Sequence, residues 1–352
     1  MGAKILQYLR QIQRCIFPAF EEEGGPLTPR LGHVVVVLDW LSIERFIPAP
    51  SRMGRPPYDR CALASAFVAK AVLNLATTEC LIDRLKVDKA LRRLCGFEPW
   101  RRLPSKATFS NAFAEIAESG LLEQIHKAII TAAYGEDLRG KIVGHVSRDS
   151  TDICARGRTK KVPQEQKGKR KNRVRGKKRR VRRQLGMNLD QMLADLPCQL
   201  DCGSKRGHSW KGYKLHLDVA DCGIPLSAIL TSASVHDSQV SIPLEEMTSE
   251  RVVSLYSLMD SAYDAAEICE FVRRKNKVPL IEPHNRAGQT RAFDFAERAR
   301  YAERSTVERA YSRLKDGLGA RHVQVRGYAK VMAHLMFGIL ALTAEQVIRA
   351  FG

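Results

Sequence analysis

The chain has 352 residues, 44% of them hydrophobic, enough to bury a sizeable core spread over about two domains. Lys and Arg outnumber Asp and Glu by 58 to 38, a formal net charge of +20. These figures exclude a disulfide-stapled mini-protein, a collagen-like chain and a wholly disordered one, and they favour a polyanionic partner, either nucleic acid or an anionic membrane surface.

Residues 1–49 read as an N-terminal extension. Met1–Phe20 carries Lys4, Arg10 and Arg14 with no uninterrupted apolar core, so it does not read as a signal peptide. Residues 50–135 read as a helical domain. Pro57 sits near a helix start, Ala62–Leu75 is rich in Ala, Leu and Val, and helical patterns continue over Thr78–Leu85, Lys89–Cys95 and Ser110–Ala132. Arg84, Arg92, Arg93, Arg101 and Arg102 leave two readings open, a DNA-binding helix-turn-helix-like unit and a plain helical bundle.

From residue 140 the pattern turns to strands. Lys141–Asp149 is a first β candidate. A basic tract follows: Arg156–Arg183 holds 16 Lys or Arg and one acid, Glu165, and so supplies +15 of the net charge. With almost no apolar content it reads as a disordered or ligand-ordered insertion. Gly212–Ala220 alternates cleanly, Asp221-Cys222-Gly223 makes a turn, and Ile224–Leu230 returns, which predicts a hairpin. A helix near Gln239–Ser249, a buried strand at Val252–Met259, a helix at Ala265–Arg274, a strand at Val278–Glu282 and a helix from Ser305 complete the pattern. The order predicts an α/β domain over residues 140–352, a mixed five-stranded sheet flanked by helices, with the first strand between the hairpin and the fourth strand.

The longest apolar stretch, Val331–Leu342, is interrupted by His334 and falls short of the roughly 20 residues of a spanning helix. Val331–Phe351 as a whole reads as one amphipathic-to-apolar helix expected to pack on the sheet, and nucleic acid rather than membrane is the expected partner. Nine cysteines without a secretory signal suggest reduced thiols and a cytoplasmic protein. Cys198, Cys202, His208 and Cys222 are too loosely spaced for a convincing zinc site.

Three acids stand out by placement. Asp149 ends the first strand, Asp260 ends the fourth, and Glu308 lies on the late helix. Functional groups collect at the carboxyl ends of strands in such sheets. Neighbouring carboxylates repel unless a cation lies between them, and hard oxygen donors suit Mg²⁺, with Mn²⁺ as a substitute. Taken singly, Asp149 and Asp260 could be helix caps, and Ser305-x-x-Glu308 matches a capping box. On one helix, Tyr301, Arg304, Glu308 and Lys315 would fall within an arc of roughly 60°, a carboxylate flanked by two cations and a phenol. Val307, Leu314 and Leu318 would form an adjacent apolar stripe able to pack on the sheet. A helix capped at Ser305 would instead place Tyr301 and Arg304 on the preceding turn. His236 and Asp237 read as an active-site contribution or as a helix cap, and Lys211 as a phosphate contact or a solvated strand-edge lysine.

These residues resemble the bacterial insertion-sequence transposases of the DDE class. The Tyr301–Arg304–Glu308–Lys315 spacing is similar to the family's Y-(2)-R-(3)-E-(6)-K signature. Met259-Asp260-Ser261-Ala262-Tyr263-Asp264 and Asp149-Ser150-Thr151 resemble the two aspartate motifs. Trp210-Lys211-Gly212-Tyr213-Lys214, Ser234-Val235-His236-Asp237-Ser238 and Arg55-Pro56-Pro57-Tyr58-Asp59 resemble further family blocks. The resemblance spans about residues 50–345. It implies a ribonuclease H-like core in which Asp149, Asp260 and Glu308 ligate metal, and Tyr301, Arg304 and Lys315 contact transposon-end DNA. It also implies cleavage of transposon ends and joining to target DNA, with a homodimer expected in the DNA complex and nucleoid association while bound. The alternatives are an inactive DNA-binding derivative and a ribonuclease H-like nuclease without strand transfer. The family pattern is broken at Arg148, where an apolar residue is more usual.

Overall fold

The computed structural model describes residues 27–48, 58–98, 100–134, 142–159, 180–205, 207–283 and 292–351. Of the segments singled out above, residues 1–26, Arg55–Pro57 and residues 160–179 of the basic tract lie outside the described residues. The chain divides into a helical unit (residues 1–129, 313–325 and 329–352) and a sheet unit (residues 130–312 and 326–328).

The early helices are α1 (Pro29–Leu41), α2 (Arg60–Val72), α3 (Thr78–Val87), α4 (Lys89–Leu94), α5 (Lys106–Ser119) and α6 (Leu121–Tyr134). Their starts follow from local chemistry. Side chains of Thr28, Asp59, Thr77, Asp88 and Ser105 each accept a hydrogen bond from an otherwise unsatisfied backbone N–H of the first turn. Gly120, at φ 67°, ends α5 in the left-handed region.

The sheet unit adds β1 (Val143–Cys154), α7 (Leu189–Asp195), β2 (Asp201–Lys205), β3 (His208–Ala220), β4 (Pro225–Ser232), α8 (Ser238–Ser249), β5 (Ser254–Met259), α9 (Ala266–Arg274), β6 (Val278–Ile281), α10 (Phe295–Ala302) and α11 (Ser305–Gly317). The sheet order is β2-β3-β1-β5-β6, with β4 also on β3. As expected from the sequence, β1 lies between the hairpin strand β3 and the parallel strand β5. The sheet has six strands, not five. The additional strand, β2, reads Asp-Cys-Gly-Ser-Lys and has no alternation of apolar residues to announce it. It is held by pairing to β3, with Cys202 opposite Lys211. Gly212 permits the close approach of β3 to β1: at φ 155° a Cβ would fall 2.0 Å from the Ile153 carbonyl oxygen.

One face of the sheet carries α8, which packs on β3 and β4, and α9, which packs on β6 and α8. Ile242, Met259, Tyr263, Ile268, Phe271, Val272 and Ile281 form a core there. The end of the basic tract is anchored to this core through Val181, while the Arg182 and Arg183 side chains stay exposed. Val181 is buried in the core, the guanidinium of Arg180 lies 3.1 Å from Asp195, Arg183 pairs with the same carboxylate, and Arg182 lies 2.7 Å from Glu267.

The C-terminal helix α12 (Tyr328–Phe351) has 24 residues and is long and apolar enough to cross a membrane by length and composition. It covers the whole of the expected Val331–Phe351 helix, and the buried Thr343 hydroxyl is satisfied within it by the Ile339 carbonyl at 2.8 Å. One expectation is corrected here: residues 329–351 belong to the helical unit rather than to the sheet. The helix forms the centre of the helical unit, with the Phe337 ring 5.7 Å from Phe67 and 6.0 Å from Phe113, and with Ile348 against Val35 and Val36. The apolar stripe of α11 is likewise divided. Val307 is buried in the sheet unit, whereas Leu314 and Leu318 meet Gly338 within the helical unit.

Candidate active site

β1 and β5 pair in parallel from Val143↔Ser254 to Ser147↔Leu258. Continued by one alternation, that register sets Asp149 level with Asp260, where the pairing has stopped. Asp149 does not end its strand. β1 continues to Cys154, still paired to β3, with Asp149 opposite Leu217. The two strands therefore part at the acids: one goes on along β3, and the other turns away at Asp260. That turn is capped by Asp260 itself, whose Oδ1 accepts from the Ala262 N–H at 3.0 Å. Asp149 is within a strand and caps no helix.

The signature residues do not lie on one helix. Tyr301 belongs to α10, Glu303 and Arg304 form a turn, and α11 starts at Ser305. The break arises because the N–H groups of Glu303 and Arg304 close tight turns onto Arg300 and Tyr301, while the Thr306 hydroxyl takes the Glu303 carbonyl. Arg304 still reaches across it. Its Nη2 donates to Glu308 Oε1 at 3.0 Å, and its Nη1 lies 3.4 Å from Asp149 Oδ2. Burial alone would lower the guanidinium's pKa, but Asp149, Tyr301, Glu308 and Asp260 around it raise it. Tyr301 donates to Glu282 at 3.4 Å, and its ring lies 5.0 Å from Phe293 and 5.8 Å from the Arg304 guanidinium carbon. Ser305 does not serve Glu308 as a capping partner; its hydroxyl accepts from Arg309 at 2.8 Å.

Arg304 thus brings Asp149 and Glu308 together, with Asp260 in the same field. Lys315, two turns further along α11, lies in the helical unit. Lys211 donates to the Gly157 carbonyl at 3.0 Å, at the entrance to the basic tract. His236 caps locally, its Nδ1 2.9 Å from the Ser238 hydroxyl. Asp237 is buried on the face of Ser150, opposite to that of Asp149, and takes Lys214 Nζ at 3.0 Å. Burial would raise its carboxyl pKa, yet the His216 ring and the Lys214 ammonium hold it below the usual range.

Two residues escaped the sequence. Tyr311 is buried, and its hydroxyl points at the Asp149 carbonyl (2.6 Å) and the Leu215 carbonyl (3.1 Å), which ties α11 to β1 and β3. Its signal was a phenol within the apolar stripe next to Val307, a place where a hydroxyl must find a partner. Tyr263, within the second-aspartate motif, is fully buried, and its hydroxyl has no hydrogen-bond partner among the described residues.

The donor chemistry of Asp149, Asp260 and Glu308 fits a hard divalent cation, and one positive group, the Arg304 guanidinium, already lies between two of them. Among the described residues, no three Asp, Glu, His or Cys side chains are gathered closely enough to hold a metal ion in this arrangement.

Two protein-family models match the chain. A family model described as a transposase DDE domain matches residues 144–344, from the start of β1 into α12. The chain belongs to the DDE transposase family. A second model, described as a transposase domain, matches residues 22–115 of this transposase, most of the early helices. No curated protein matches the chain. The family assigns the chain to transposase enzymes, which act on DNA and use divalent metal ions. The mixed sheet with flanking helices is consistent with the ribonuclease H-like fold.

Proposed function

We propose that this transposase cuts DNA at its element's ends and joins the freed 3′-hydroxyl to target DNA, using Asp149, Asp260 and Glu308 as its three acids. The observation that carries this reading is the register of β1 and β5, which sets Asp149 level with Asp260, together with the Arg304 link from Asp149 to Glu308. The three carboxylates would hold Mg²⁺, or Mn²⁺ in its place. Ions bound there supply Lewis-acid activation of water and stabilise charge on the attacking and leaving oxygens.

The chain's own residues define the rest. Tyr311 holds α11 against β1 so that Glu308 faces the two aspartates. Arg304, Tyr301 and Lys315 contact the DNA end. A guanidinium binds phosphate oxygens as readily as carboxylates, so Arg304 can exchange its acids for the backbone when DNA arrives. Lys211 and the basic tract add phosphate contacts, and the protein acts as a homodimer on DNA.

Asp260→Asn tests the reading, because Asn keeps the shape but loses the charge that holds a divalent ion. The expected result is loss of Mg²⁺-dependent strand cleavage, with end-DNA binding within a few fold of wild type. Retained cleavage removes Asp260 from the site. Cleavage by the wild-type protein without joined donor–target product reduces the function to a nuclease.

A further inference from the structure

Arg148, the residue that breaks the family pattern, is fully buried inside the sheet unit. It is not an isolated charge. Its Nε and Nη2 form a two-pronged contact with Asp218, each at 2.7 Å, and Asp218 stands directly opposite on β3. Nη2 also reaches Glu245 at 2.8 Å. Nη1 donates to the Ser241 hydroxyl and carbonyl at 2.9 and 3.1 Å and lies 3.5 Å from the Met259 sulfur. The carboxylates are satisfied in turn. Thr248 donates to Asp218 at 2.7 Å, and Ser257 and Lys277 donate to Glu245 at 3.1 and 2.8 Å. Two cations, Arg148 and Lys277, face two anions, Asp218 and Glu245, so the cluster is formally neutral.

A buried ion cluster is a poor source of stability, because apolar side chains of similar volume are often as good or better. Its directionality is different. A planar guanidinium fixes the angles and distances of everything it touches, whereas apolar side chains impose neither. Arg148 immediately precedes Asp149, and Met259 immediately precedes Asp260. One guanidinium therefore spans the two residues from which both aspartates follow, and it braces them against β3 and α8.

We propose that Arg148 is a positioning residue, whose buried fork on Asp218, Glu245, Ser241 and Met259 sets Asp149 and Asp260 at the spacing their divalent ion needs. The proposal rests on the three-acid reading above. Arg148 touches no DNA and acts through the strands.

The test separates stability from positioning. The double variant Arg148→Met/Asp218→Asn removes one charge of each sign and leaves the Lys277–Glu245 pair in place. It is made in the full chain and compared with wild type in thermal melting, Mn²⁺ binding without DNA, and cleavage kinetics. We expect a melting temperature close to wild type, Mn²⁺ affinity lower by about tenfold or more, as for outer groups that orient metal ligands, and a fall in kcat with KM for end DNA unchanged. A stable double variant with wild-type Mn²⁺ affinity and kcat overturns the proposal. Should the double variant fail to fold, Arg148→Lys keeps the charge but loses the fork. The same losses are expected of it, and wild-type Mn²⁺ affinity there is equally fatal. Asp149→Asn and Asp260→Asn are the controls for the underlying reading. If neither weakens Mn²⁺ binding, the three-acid site fails and the positioning role falls with it. If both weaken it while the Arg148 variants do not, only the positioning role falls.

Discussion

Two arginines hold carboxylates on opposite faces of β1, and they do so in contrasting ways. Arg148 and its partners Asp218 and Glu245 have side chains 1%, 0% and 1% exposed, and every guanidinium nitrogen has an acceptor. Arg304 is 19% exposed, and its partners Asp149 and Glu308 are 14% and 57% exposed. Its contacts are single and longer, and its Nη1 has an ion-pair neighbour but no formed hydrogen bond. The same two residue types thus make one cluster that is closed and one that is open to exchange. The difference lies in desolvation. A pair sealed from water cannot lose one member without stranding the other, whereas a pair at a rim can trade one partner for another charge.

The contrast can be broken from either side. The largest effect is expected at Glu308→Gln on the open face. Strand cleavage should disappear, while unfolding free energy changes by no more than about 0.5 kcal/mol, as for an exposed substitution. Near-normal cleavage by this variant would remove Glu308 from the site. Next comes Arg148→Ala on the closed face. Two buried carboxylates would lose their principal counter-charge, and chemical denaturation should show a loss of about 3–5 kcal/mol. A loss below that of an ordinary surface change would show that water reaches the cluster.

Arg304→Ala sharpens the contrast, because the same chemical deletion on the open face should cost under about 1 kcal/mol of stability. End-DNA binding should weaken, with a salt slope shallower by about 0.9 for one lost phosphate contact. Mn²⁺ should bind the DNA-free protein more tightly, since the guanidinium no longer competes for the carboxylates. Unchanged DNA affinity would confine Arg304 to the protein's interior chemistry. The smallest effect on either face is expected from excising residues 167–179, which removes nine basic residues and spares the packed Val181. The salt dependence of DNA binding should flatten while the melting temperature holds, and an unchanged slope would exclude the tract from the DNA interface.

What the sequence revealed of this molecule follows a physical rule. Period-two alternation exposed β3 and β4, and the placement of β1 beside β5 followed from the order of elements, so the neighbouring positions of Asp149 and Asp260 at those strands were legible. β2 was not, because its pairing comes from β3's backbone rather than from its own side chains. The break before Ser305 was legible only as two competing helix starts; turn hydrogen bonds at Glu303 and Arg304 decide between them. Arg148 stood out as an anomaly, but its partners lie on β3 and α8, far along the chain, and no local pattern names them. Helix α12 was legible as a helix and misplaced in space, because an apolar helix carries no mark of which partner will cover it.

The Tyr311 hydroxyl, held at the carbonyls of Asp149 and Leu215, has a consequence for how this chain can vary. A helix turns by about 100° per residue, so a slip of α11 by one position would swing Glu308 well away from β1. Tyr311 indexes that rotation from the far side of Glu308, independently of whatever precedes Ser305. The connection between β6 and α11 can therefore lengthen or shorten by whole residues without altering which way Glu308 faces. The three residues from Glu308 to Tyr311 have no such freedom: a single insertion between them would change the phase of the helix and uncouple the acid from its strand.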